Sequence, residues 1–265
     1  MTTSSPVPHP LAFPLDSYRL SAQDRQVIEQ AEFVLANECM KRRGMSWPAP
    51  LRPLGRSHSP NERRYGVSDE AMASQYGYQL PPPIGVTRAE QRQWDKDGKE
   101  RLAGVAPATM NAYTGEGGGG PGCRERARQE LAMQWIRLAD PVAAASSAAW
   151  QHAQADKNVR ALDGEWSTCM RASGHHRSDP LVAAGSWSDS GLTKGDSIRP
   201  PGAAETAMAI TDVKCKKSVD YIARRQTIEA SYQRDEISSH AAQIRAYRSA
   251  WKLSLEKARA VSRSS

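Results

Sequence analysis

The chain has 265 residues, room for one large or two small domains, but Leu, Ile, Val and Phe supply only 38 of them, about 14%, which excludes a thick hydrophobic core throughout. Alanine supplies much of the remaining apolar count and favours helix while burying little area, so a thin helical body with long loops is expected. A net charge of +7 suits an anionic envelope polymer but is too small and too interleaved with acids to mark a specific nucleic-acid protein, and no apolar run reaches the length of a membrane span.

In chain order, residues 1–20 are Pro-rich and read as an extended arm. Ser21 is placed to cap a helix, with Asp24 at the reciprocal position, and Ile28, Ala31, Leu35 and Cys39 recur on one stripe of it. Gly44 ends that helix after Lys41, Arg42 and Arg43, whose charges suit the negative end of the dipole. Residues 47–122 are rich in Pro and Gly, with short helices opening at Ser68 and at Thr87, where Glu90 completes a capping box. "PPP" at 81–83 separates these two as a stiff spacer, and "TGEGGGGPG" at 114–122 is a linker by composition.

The next helix starts near Cys123 and carries Ala127, Leu131, Trp135 and Leu138 until Pro141 interrupts it. Another runs through an Ala-rich stretch to Ser173, with Val159, Leu162, Trp166 and Cys169 on its stripe and Gly174 as its stop. Residues 175–202 read as loop. The last element, 203–262, contains no Pro or Gly and reads as one long helix. Its late stripe, Ile237, Ala241, Ile244, Arg248, Trp251, Leu255 and Ala258, alternates steps of four and three, the spacing of a helix packed along another helix. A helix this long outruns a small body, so 236–265 either bends back or projects as an arm for a protein partner.

The ending Cys-Met-basic-x-x-Gly occurs at Cys39–Gly44 and again at Cys169–Gly174, each followed by a Pro/Gly-rich loop and a second cysteine, Cys123 or Cys215. The chain therefore reads as a weak repeat, 21–140 and 141–235, inside a single helical domain spanning 21–265. Four cysteines allow three connectivities. Pairing within each half, Cys39 with Cys123 and Cys169 with Cys215, is the simplest, and the spacing leaves the other two open. An even count without C-x-x-C spacing points to two disulfides and an oxidising compartment. The opening residues carry no export signal, and the expectation is that such a segment precedes the given start. The fold class expected is mostly α, an irregular helical bundle with long Pro/Gly-rich loops, stapled by two disulfides.

No catalytic set stands out. The serines of "GSWSDSG", 185–191, follow no strand, and His175 and His176 lack the ligand-pair spacing of a zinc site. The expectation is a protein that is not an enzyme and holds no cofactor or metal. Seven tryptophans against two phenylalanines direct attention elsewhere: Trp47, Trp94 and Trp187 lie in or beside loops, where an indole stacks on a sugar or anchors a partner.

The segments "FPLDSYRLSAQDRQVIEQAEFVLANECMKRRGMSWP", "RYGVSDEAMASQYGY", "GCRERA", "STCMRASG" and "DVKCKKSVDY" together resemble a group of actinobacterial exported, often lipoprotein-like, four-cysteine proteins of uncharacterised function. The resemblance implies a secreted or envelope setting and supplies no catalytic residue. On this reading the protein is a non-enzymatic interaction or accessory module of the cell envelope; the alternative is a glycan or small-ligand binding protein using its Trp- and Tyr-bearing loops.

Overall fold

A computed structural model describes residues 11–116, 120–187 and 200–264. Among them the regular structure is helical: α1 (Ala22–Arg42), α2 (Glu70–Tyr76), α3 (Arg88–Ala103), α4 (Pro107–Thr114), α5 (Cys123–Glu130), α6 (Pro141–Ala155), α7 (Lys157–Ala172), α8 (Pro180–Gly185), α9 (Ala203–Ser218), α10 (Tyr221–Ser239) and α11 (Ala241–Ser264). Two 3-10 turns, Pro14–Tyr18 and Met133–Arg137, complete it, with no strand among the described residues beyond an isolated bridge between Arg56 and Ile84. Both disulfides form, Cys39 to Cys123 and Cys169 to Cys215.

The two Cys-Met-basic-x-x-Gly endings have the same geometry. In α1 the Met45 N–H donates to the Met40 carbonyl at 3.0 Å and the Gly44 N–H to Lys41 at 2.9 Å; after α7, His175 donates to Met170 at 2.9 Å and Gly174 to Arg171 at 3.0 Å. Each is a Schellman cap whose glycine takes a left-handed φ, +70° at Gly44 and +83° at Gly174. Met40 and Met170 are fully buried, and the preceding cysteine faces the core within reach of its partner. The resemblance stops there: Cys123 is the first residue of α5, whereas Cys215 lies three residues before the end of α9, not near a helix start.

The single domain expected from sequence is instead two compact, interleaved units. The first comprises the segment ending at Asp16, Gly55–Thr87 and Ser147–Asp235; the second comprises Ser17–Leu54, Arg88–Ser146 and the segment from Glu236 onward. Each holds one disulfide. The first unit's core gathers Tyr65, Leu162, Trp166, Met170, Met208 and Tyr221. The second unit's core gathers Ile28, Leu131, Trp135, Trp251 and Leu255, with Met40, Tyr113 and Ala127 around its disulfide.

The N-terminal arm expectation fails for residues 11–20. Phe13 and Leu15 are buried, Phe13 edge-on to Tyr65 with centroids 6.3 Å apart, and the Asp16 carboxylate accepts from the Phe13 N–H at 2.8 Å and the Asn61 amide at 2.7 Å. Two large apolar side chains in "LAFPLD" outweigh its one proline, Pro14, which opens the 3-10 turn; residues 1–10 lie outside the described residues.

The run 203–262 is not one helix. It breaks at Asp220, which adopts φ +51°, and again at His240, giving α9, α10 and α11. Nor does its end project. In the second unit α11 packs along α1 and buries Ile244, Trp251, Leu255 and Ala258, leaving Ile237 half-buried. The Trp251 indole N–H donates to the Tyr18 carbonyl at 3.2 Å, and the Trp135 indole N–H to Ser254 Oγ at 2.8 Å. The stripe proposed as a partner surface is therefore the interior of this unit.

Candidate ligand cleft and buried ionic network

Of the three loop tryptophans, two belong to one unit and hold the same segment. Trp47 begins the segment "WPAPLRPL" and stacks flat on Tyr113 of α4, centroids 3.7 Å apart and planes within 1°, its backbone N–H held by Asn37 Oδ1 at 3.2 Å. Trp94 of α3 donates its indole N–H to the Arg52 carbonyl at 2.9 Å and so pins the same segment. Trp187 belongs to the other unit, half-buried against its core, and has no part in this cluster.

The segment and α3 form one wall of a cleft of about 390 Å³ in the second unit. Trp47, Pro48, Pro50, Leu51 and Pro53 supply its apolar side, with Arg101 and Leu102 from α3. The opposite wall is the polar face of α1, Gln26, Glu29, Gln30 and Glu32, with Phe33. Arg101 Nη1 donates to the carbonyls of Pro48 and Ala49 at 3.0 and 3.1 Å, while its buried Nε has no partner among the described residues. Glu32 Oε1 accepts from Arg124 Nε at 2.6 Å and Arg128 Nε at 3.1 Å. Burial opposes the charge on Arg124, but the Glu32 carboxylate outweighs it and raises its pKa; burial also raises that of the Tyr113 phenol.

No residue of α3 is buried, and among the described residues its hydrogen bonds to segment 47–54 come from Trp94 and Arg101. The opposite wall is fixed by the Cys39–Cys123 disulfide and the packing of α5 on α1. The result is an aromatic and proline-rich face opposed to amides, carboxylates and guanidinium groups, the chemistry that binds a polar ring by stacking and hydrogen bonds. Sequence reasoning found Trp47 but missed Tyr113, Glu32 and Arg101. As isolated polar or aromatic letters they carry no signal, and they meet only when segments far apart in the chain close together.

A second constellation, drawn from the basic residues that the sequence interleaves with acids, is buried in the first unit. Asp212, Lys216, Arg225 and Glu229 are all at most 2% exposed. Asp212 accepts from the Trp166 indole at 2.9 Å and from Lys216 Nζ at 3.0 Å, and Lys216 also donates to the Val67 carbonyl at 2.8 Å. Burial raises the Asp212 pKa and lowers that of Lys216, each countered by the other's charge. Glu229 accepts from Arg64 Nε at 2.6 Å, the Tyr65 hydroxyl at 2.8 Å and Gln233 at 3.0 Å. Arg225 lies over the rings of Tyr65 and Trp150 at 5.2 and 5.1 Å and donates to the Tyr221 hydroxyl at 3.1 Å. These contacts tie α9 and α10 to the loop 61–67, and their chemistry is structural.

Cys169 and Cys215 are bonded to each other and unavailable to a metal, and no group of three ligand-type side chains comes together among the described residues. Of the serine-rich stretch, residues 188–199 lie outside the described residues. No known protein family, curated protein or solved structure matches this chain.

Proposed function

We propose that this chain is a non-enzymatic, extracytoplasmic protein of the cell envelope whose second unit binds a small polar ligand, a glycan fragment, in the cleft beside Trp47. The observation that carries the reading is that cleft, in which a stacked Trp47–Tyr113 pair faces the carboxylates and amides of α1. Its setting is argued from two intrachain disulfides, which persist in oxidising compartments, and from the resemblance to actinobacterial exported four-cysteine proteins. No helix among the described residues is long and apolar enough to cross a membrane. A net charge of +7 adds a general attraction to anionic envelope polymers. An accessory role in envelope transport or wall assembly follows from binding without chemistry; capture of a protein partner by α11 is dropped, because its stripe is interior.

The test is a titration of tryptophan fluorescence with purified cell-wall fragments, using oxidised protein. Saturable quenching is expected in the wild type, with affinity about fivefold weaker in Trp47→Leu, since aromatic stacking contributes about 1 kcal/mol. Trp187→Phe should bind normally. A flat titration across a broad panel, or binding indifferent to Trp47, ends this reading.

A further inference from the structure

The first unit contains a cavity of its own, about 350 Å³, at the small end of the range for small-molecule sites. One side is hydrocarbon: Leu11, Val67, Met72 and Ile84. The other side carries charges, and the hydrogen bonds show which of them are already matched. His58 Nδ1 lies 2.9 Å from Glu62 Oε2 and its Nε2 lies 2.8 Å from the Pro82 carbonyl, so both ring nitrogens face acceptors and the Glu62 carboxylate has a donor. Asp69 caps α2, accepting from the Met72 N–H at 2.9 Å. Both acids on the wall are thus engaged.

Arg63 is not matched in the same way. Its guanidinium carries five N–H donors, yet its one hydrogen bond among the described residues runs from Nη2 to the Gln79 carbonyl at 3.1 Å, with no carboxylate at ion-pair distance. Burial lowers its pKa, and Glu62, Asp212 and Asp69 offset that only through space. A half-buried guanidinium, most of whose donors are not taken by the described residues, on the wall of an apolar cavity is the arrangement that takes up a planar carboxylate. A doubly charged phosphate is disfavoured, because Glu62 and Asp69 line the same space.

We infer that the first-unit cavity is a binding site for an aliphatic monocarboxylate, its head against Arg63 with Ser59 and Ser68 as further donors, its chain against Leu11, Val67, Met72 and Ile84. This site is separate from the glycan reading of the second unit and does not depend on it. The sequence pattern marks only a short helix opening at Ser68 within "HSPNERRYGVSDEAM", and the hydrocarbon wall forms when Val67 and Met72 of that stretch meet Leu11 and Ile84 from outside it.

Calorimetric titration of the full, oxidised chain with decanoate, decanol and decylammonium, each below its micelle concentration, tests the inference with chain length held constant. Decanoate should bind about tenfold or more tighter than decanol, the worth of one charge-assisted hydrogen bond, and decylammonium more weakly than either. Arg63→Gln should bring decanoate down to the decanol level, and Ile84→Asp, at an exposed wall position, should weaken both. Trp47→Leu should change nothing. Equal binding of acid and alcohol, preference for the amine, or no binding at all overturns the proposal. The wild-type series decides the matter even if the Arg63 variant does not fold.

Discussion

Gly44 and Gly174 do the same work in the two units, and the space around each is open: a Cβ would meet nothing within 4 Å at either. Replacement by Ala therefore costs only the left-handed backbone, about 1 kcal/mol, read as a shift in urea midpoint with unchanged slope. Gly122 is different. A Cβ there would stand 2.4 Å from both the Tyr113 carbonyl oxygen and the Gly115 nitrogen, backbone atoms that cannot swing aside, so Gly122→Ala should disrupt the start of α5 and exceed the cap variants several-fold. Equal effects at Gly44 and Gly122 would refute this. The buried pair gives a second contrast. Lys216→Met strands the Asp212 carboxylate and should destabilise by about 3 to 5 kcal/mol, whereas adding Asp212→Asn removes both charges, keeps an acceptor for Trp166, and should restore most of the loss in the same denaturation assay. The cap glycines are readable because each acts through its near neighbours in sequence, and the cysteines because residue type and even count alone mark them for pairing across 84 and 46 residues. Lys216 is not, since its interior position depends on Val67, 149 residues away.

At the scale of elements, α11 replaces what sequence offered as a binding arm. The period of Ile244, Trp251, Leu255 and Ala258 correctly marks a helix that packs along another, but periodicity is silent on which helix, and α1 answers it within the same chain. Trp251→Ala should accordingly destabilise the second unit by about 3 to 5 kcal/mol, the usual loss for a buried indole, while Leu253→Ala on the exposed side of α11 should stay within about 0.5 kcal/mol. Near-ultraviolet circular dichroism of the tryptophan band reports the loss of packing, and a folded chain lacking 237–265 would count against it. The break before α10 shows why that long run looked continuous. No Gly or Pro marks the break; Asp220 takes the left-handed conformation there, which Asp tolerates better than most side chains. The cleft wall of α3 is partly visible in sequence, which places a helix opening at Thr87 with Trp94 near it, but the hydrogen bonds of Arg101 to Pro48 and Ala49 come from tertiary contact alone.

For the whole molecule, the repeat in the sequence maps onto two units only after an exchange: the segment Gly55–Thr87 joins the second half of the chain, and the segment from Glu236 joins the first. No local pattern encodes such an exchange, because it is decided by which core each segment fills. It makes the two disulfides unequal. Cys169 and Cys215 close a loop of 46 residues that lies wholly inside the first unit, but Cys39 and Cys123 close one of 84 that carries Gly55–Thr87, a piece of the first unit, within it. On the chain-entropy model each bridge restricts the unfolded chain by about 4 to 5 kcal/mol. Removing the shorter loop by Cys169→Ser with Cys215→Ser should then lower the unfolding midpoint of the first unit alone. Removing the longer by Cys39→Ser with Cys123→Ser frees the chain on both sides of 55–87 and should lower both midpoints. Fluorotryptophan resonances of Trp166 and Trp251, followed through urea, report the two cores separately in one sample. If loss of the 39–123 bridge moves only the Trp251 signal, the segment 55–87 is held by the first unit without help from that covalent loop, and the asymmetry argued from the chain path is wrong.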